Sequence, residues 1–227
     1  MPADAPALLR RLACTNCGQA LAVYDRRSIY VNCAACGLLS DATAAAARPI
    51  LTMHDPALLP PPALDLPLGS ELKLGKTPYR VIGRHFFFRH RPPEATVEPR
   101  EERIEEWRLL TAGGEVLRLQ ASGGAHWLLT PLPKAEASAA PPMGGQLRDF
   151  RRGKPVAVSD LGLLETGFVE GETRYAFLHH GDAFEFAAYE AKGLRHELRF
   201  RRGARPGRLE TAEAYRVEAL DAKPAAG

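Results

Sequence analysis

The sequence predicts a mainly β chain: an N-terminal zinc ribbon at residues 8–40, then two small antiparallel β domains, barrel-like or rolled-sheet, at 66–134 and 146–221. Three observations predict it. The chain's four cysteines fall as two Cys-x-x-Cys pairs. Short stretches of alternating apolar and polar residues recur downstream, separated by turn residues. Nineteen prolines and twenty glycines in 227 residues favour turns and strands over long helices.

The pairs are Cys14, Cys17 and Cys33, Cys36, each followed by a glycine, Gly18 and Gly37. Fifteen residues separate Cys17 from Cys33, which is zinc-site spacing. Four thiolates form a closed tetrahedral site that leaves no open position for catalysis. Spacing alone admits iron or an iron–sulfur cluster as well as zinc. Two disulfides are the plainer alternative; residues 1–6 show no charged segment leading into an apolar one, so no export signal supports them. A redox Cys-x-x-Cys normally occurs once, beside a βαβ pattern that neither pair has. Between the pairs, Leu21 with Val23 and Ile29 with Val31 alternate around a turn at residues 25–28, a β-hairpin pattern. About 30 residues bury too little apolar surface to fold alone, so metal binding is expected to supply the folding free energy.

Residues 41–65 read as an Ala/Pro-rich linker, with the prolines at 60–62 forbidding regular structure and holding the ribbon away from the first β domain. In that domain, strands are expected around Leu72, through Tyr79 to Phe88, around Trp107, at 116–119 and at 127–129, with Trp107 and Trp127 filling the interior. Small residues at 135–145 read as a second linker. The second domain is expected to place strands at 156–158, 162–168, 175–178, 184–189, 194–200 and 215–220, punctuated by glycines. Leu194, His196, Leu198 and Phe200 alternate with Arg195, Glu197, Arg199 and Arg201, which puts the first set on a core and the second in water.

Net charge is +3, so composition argues neither for nor against nucleic acid, and any basic footprint must be local. No apolar stretch approaches the roughly 18 residues of a membrane-spanning helix. The expectation is a cytoplasmic protein.

The ribbon followed by Gly75, Tyr79, Val81, Gly83 and Arg84, then Glu106-Trp107 with a leucine pair, then Trp127-Leu128, resembles a bacterial family known as domain of unknown function 4178. Val169-Glu170-Gly171-Glu172, Gly181-Asp182, Ala188-Tyr189 and Glu213-x-Tyr215 carry the resemblance through the second half, so that it covers Cys14 to about Val217. Thr15 and Ala34 stand where the family often has proline, and Arg174-Tyr175 where it usually has tryptophan. The resemblance implies a zinc-bearing β architecture, no assigned catalytic residue, and an assembly role in bacterial membrane stress.

Nucleophile elbows, phosphate loops, zinc-protease helices and dinucleotide fingerprints are all missing from the sequence. His179-His180-Gly181-Asp182 reads as a hairpin tip before it reads as a metal or acid–base pair; Asp160 and Glu165 read as solvated acids. Residues 94–106 hold six acids and read as a solvated loop, whereas residues 192–208 hold seven basic residues against Glu197. Arg195, Arg199, Arg201 and Arg202 are the candidate anion-binding set. No aromatic reader is interleaved with them, which favours an acidic protein or lipid surface over nucleic acid. The expected function is a non-enzymatic zinc-ribbon adaptor or scaffold that binds a protein partner in a peripheral membrane assembly. The alternatives are a nucleic-acid-binding ribbon protein and an enzyme with an unrecognised site in the second β domain. The sequence identifies no small-molecule substrate.

Overall fold

A computed structural model describes residues 5–52, 55, 57, 59, 61–90, 101–133, 146–148, 155–173, 183–191, 193–202, 209–221 and 224; for 101, 146–148, 155–157, 201, 202 and 209–212 it describes the backbone alone. The described residues include fifteen strands. β1 (Arg10–Ala13), β2 (Ala20–Val23), β3 (Tyr30–Asn32), β4 (Leu38–Asp41) and β5 (Arg48–Thr52) build the N-terminal cysteine module. β6 (Glu71–Leu74), β7 (Thr77–His90), β8 (Glu101–Leu110), β9 (Val116–Ser122) and β10 (Ala125–Pro131) come next. The last five are β11 (Gln146–Arg148), β12 (Pro155–Thr173), β13 (Ala183–Ala191), β14 (Leu194–Arg202) and β15 (Leu209–Ala219).

The fold is mainly β and contains a barrel, as the sequence predicts. The two expected β domains, however, are one unit. Antiparallel neighbours run β12-β13-β14-β15-β10-β9-β8-β7, and β7 returns to pair with β12, closing eight strands into a ring. The first half supplies β7 to β10 and the second half β12 to β15. Two seams join the halves: β10 with β15, Trp127 to Pro131 against Ala219 to Tyr215, and β7 with β12, His90 to Gly83 against Leu163 to Gly171. Closure leaves no unpaired edge between the halves, which two separate small sheets would each have had. The expected linker at 135–145 lies outside the described residues.

The module is docked to the barrel and does not swing on a tether. The 19-residue β12 pairs with β13 through Val158 to Glu165, and its far end, Gly171 to Thr173, pairs with β3. β3, β4 and β5 thereby extend the barrel wall outward as an arm, while β1 and β2 form a separate two-stranded sheet. Part of the expected 41–65 linker is strand β5. Leu64 and Leu66 are buried against Trp107, Leu109, Leu117 and Leu119. The Pro61 carbonyl accepts a hydrogen bond from Arg103 at 2.6 Å, so this end of the linker lies against the barrel.

Strand alternation assigns two faces to each barrel strand. Trp107, Leu109, Leu119 and Ala121 occupy the outer face, covered by the 61–74 segment. Leu198 and Phe200 lie on the outer face of β14 with Ala187 and Ala214. Glu106, Arg118, Arg199 and Tyr215 therefore point into the lumen. That corrects the expectation that Arg195 and Arg199 stand on a solvated outer face.

At the junction of module and barrel, Gly171 faces Gly83 on β7 and Asn32 on β3. Its φ is +72°, and a Cβ there would stand 2.5 Å from the Ile82 carbonyl oxygen and 2.9 Å from the Gly83 Cα. Gly193 has a similar φ of +73° with open space around it. Gly171→Ala should cost about 1–3 kcal/mol in urea unfolding from strain plus collision, more than Gly193→Ala, which carries strain alone. Equal losses at the two positions would contradict a close-packed junction.

Candidate functional site

The two cysteine pairs sit on matching turns. β1 leads to Cys14 and the turn returns as β2; β3 leads to Cys33 and returns as β4. In each turn the glycine amide donates back to the first cysteine carbonyl, Gly18 to Cys14 at 2.9 Å and Gly37 to Cys33 at 2.8 Å. Both glycines are in the left-handed region, at φ of +74° and +68°, which lets two sulfurs of one turn face the same point. The Sγ atoms of Cys14 and Cys36, and of Cys17 and Cys33, are 3.6 Å apart, and all four lie within 4.8 Å of one another. A tetrahedron with ~2.3 Å metal–sulfur bonds has edges of about 3.8 Å. The donor set and its spacing thus fit a metal ion, as the sequence predicts. Cys14 and Cys33 are buried among Leu12, Leu21, Val23 and Val31, whereas Cys17 is exposed. Burial pushes the Cys33 thiol up to about 12. At Cys36 burial also raises the pKa, but hydrogen bonds from Asn16, the Leu38 backbone and the neighbouring sulfurs hold it at about 7.

One buried carboxylate, beside the β3–β12 pairing, ties the cysteine module to the barrel. Glu172, fully buried on β12, accepts the backbone amides of Tyr24 at 2.7 Å and Asp25 at 3.0 Å, both in the turn after β2. Arg108 of β8 donates to the Glu172 carbonyl. Ile29 donates its amide to Thr173 at 3.2 Å, and Arg80 lies over the Tyr24 ring at 5.5 Å. Sequence reading found Glu172 only as part of a family motif; its partners are almost 150 residues away.

The candidate anion-binding arginines do not form a surface. Arg199 is 1% exposed and sits at the centre of the lumen. Its guanidinium donates to Glu197 at 2.8 Å and to both oxygens of Glu106. Glu106 also accepts Arg118 at 2.9 Å and Gln120 at 3.0 Å, and Arg118 reaches on to Glu213 at 2.5 Å. Burial raises the Glu106 pKa, but Arg199 and Arg118 outweigh it and hold the carboxyl far below its ordinary range. Arg195 is half-exposed, 3.9 Å from Asp160. The side chains of Arg201 and Arg202 lie outside the described residues, as does the cluster at His179, His180 and Asp182.

Two acids expected to be solvated have partners. Asp160 lies 3.6 Å from Arg89, and Glu165 hydrogen-bonds His90 at 3.1 Å. Glu105 and Glu106, placed by sequence in an acidic loop, are buried on β8; residues 91–100 of that loop lie outside the described residues. Trp107 is buried beneath the 61–74 segment, while Trp127 is half-buried at one end of the lumen.

At that end, above the Arg199 network, all eight barrel strands line a cavity of about 430 Å³. Arg89 and Glu197 form its buried floor, and Trp127, Arg195 and the exposed Glu190 its rim. Sequence reading missed it because its walls come from strands across the entire downstream chain.

No protein-family model matches the chain, and neither a curated protein nor a solved structure matches it.

His85 supplies a pH readout of the lumen. Burial, then the positive charges of Arg118 and Arg108, hold its pKa well below 6.5. The folded chain keeps it neutral while the unfolded chain protonates near 6.5, so its stabilising contribution is complete above that pH and lost below it. The slope is up to about 1.4 kcal/mol per pH unit for one proton. Stability should fall between about pH 7 and 5, and His85→Gln should remove most of that fall. Parallel pH profiles for the two proteins would contradict this assignment.

Proposed function

We propose that this chain is a non-enzymatic, zinc-stabilised scaffold that binds a partner protein through its N-terminal module. One observation carries the reading. Of the six large apolar side chains exposed among the described residues, Leu8, Leu9, Ile29 and Ile50 belong to the module, while Leu68 and Leu194 lie elsewhere. Their concentration in the module supports an interaction surface there. Ile50 sits on β5, the outermost strand of the arm, most of which is exposed. Pro49 on β5 carries no amide donor, which suits an edge strand. The proposed contact is therefore apolar side-chain packing.

Zinc is the proposed ion because four thiolates at these separations suit a closed structural tetrahedron. Such a centre holds shape and leaves no coordination position for a substrate. The arginines behind the nucleic-acid reading support it less, since Arg199 is consumed inside the barrel. A peripheral membrane assembly in a bacterial cytoplasm is proposed on the family resemblance alone.

The test is native purification followed by elemental analysis and co-elution. The reading expects one zinc per chain and a bound protein retained by wild type. A Leu9→Lys, Ile50→Lys double variant should keep its zinc and melting temperature yet release the partner. A chain that elutes alone, lacks zinc, or keeps its partner in the double variant would overturn the proposal.

A further inference from the structure

The cavity at the barrel end has features that the charged network below it does not share. Inside the network, guanidinium and carboxylate groups meet at hydrogen-bond length. Around the cavity, Arg89 and Arg195 do not, although Arg199 still holds Glu197 at 2.8 Å. Arg89 is 6% exposed, yet its carboxylate neighbours Asp160, Glu102 and Glu197 stand at 3.6, 3.7 and 3.9 Å. Its Nε has no hydrogen-bond partner among the described residues, and its guanidinium lies 4.7 Å over the Phe186 ring. Arg195 repeats the pattern at the rim, with Nε unpartnered and Asp160 at 3.9 Å. A buried donor without an acceptor is costly, and two of them lining one cavity define a place for an oxyanion.

The described surroundings disfavour a simple anion. Among the described residues, four carboxylates, Glu102, Asp160, Glu190 and Glu197, line the cavity against the guanidiniums of Arg89 and Arg195, and Arg199 holds Glu197 from below. With all of these ionised, the described groups carry a net negative charge, which disfavours an anion and attracts a protonated amine. A pure cation would leave the two arginine donors unsatisfied. Trp127 at the rim offers an indole face to methylenes or an ammonium group. At about 430 Å³ the space lies within the ordinary range for small-molecule sites.

We propose that the barrel mouth binds a small amphoteric molecule, carrying a carboxylate and a protonated amine and of the size of a single amino acid. The carboxylate seats on Arg89 and Arg195 and fills their empty donor positions. The amine lies toward the rim, between Glu190 and the Trp127 ring. Binding is non-covalent, and the site lies apart from the proposed partner surface on the module.

The probe is L-lysine, compared with 1,5-diaminopentane, which lacks the carboxylate, and glutarate, which lacks the amine. Calorimetry should show one L-lysine per chain, with a change in Trp127 fluorescence; Trp107 is buried elsewhere. The diamine and glutarate should each bind at least about tenfold more weakly. Arg195→Gln, at a half-exposed position, should keep the melting temperature, weaken L-lysine about tenfold and bind the diamine no more weakly than wild type does. Absence of L-lysine binding would leave the cavity merely hydrated and overturn the proposal. Equal affinity for the diamine, or L-lysine binding unaffected by Arg195→Gln, would overturn it too. None of these results depends on whether a partner protein binds the module.

Discussion

Strand β12 is paired on both sides, and the rest of the molecule depends on that. On one side it closes the barrel against β7; on the other it runs along β13 and then meets β3. The same strand end carries Glu172, whose carboxylate accepts two backbone amides from the cysteine module. Moving an ionised carboxylate out of water is expensive unless hydrogen bonds replace the lost solvent. Burial accordingly raises the Glu172 pKa, against the lowering influence of the Tyr24 and Asp25 amides. The amides it accepts belong to a turn held between the two cysteine pairs, so the geometry of the cysteine cluster and the closure of the barrel constrain each other.

The lumen holds a buried charge network packed against apolar side chains, with Arg199 over Phe87 and Arg89 over Phe186, and that network determines what it can do. A buried ion pair contributes little net stability compared with apolar packing, but removing one partner costs about 3–5 kcal/mol because the other is stranded. Glu106, Arg118, Arg199 and Glu213 form such a set, in which each side chain fixes its neighbours' rotamers. Toward the cavity the match loosens, and the contacts of Arg89 lengthen beyond hydrogen bonds. The tight end supports the barrel. The loose end leaves donor capacity for something else.

The parts legible in the sequence were those set by short-range chemistry. Two Cys-x-x-Cys pairs with trailing glycines specified matching turns, and alternation in residues 194–200 correctly separated Leu198 and Phe200 from Glu197 and Arg199. Alternation does not say which face is wet. The usual rule assigns charged residues to solvent, but here Glu106, Arg118 and Arg199 share a closed lumen with Phe87 and Phe186, while the other face is covered from outside by Leu64 and Leu66 on the β8–β9 side. The pairings of Trp127 with Ala219 and of Gly83 with Gly171 are likewise set by tertiary closure, with no local signal in either strand. Two groups of hairpins read naturally as two domains, because the seams that merge them join residues far apart in sequence, from His90 with Leu163 to Trp127 with Ala219. The prolines at 60–62 spoke for an extended chain, not for distance.

Hydrogen exchange on a Cys33→Ser variant tests most directly whether module and barrel are one cooperative structure. Cys33 is fully buried beside β3, and β3 borders Gly171 to Thr173. The account predicts that amides in the module and at residues 171–173 lose protection together, and that the barrel melts at a lower temperature than in wild type. A module that exchanges freely while residues 171–173 and the barrel transition stay as in wild type would contradict it, and would show that the two parts merely touch.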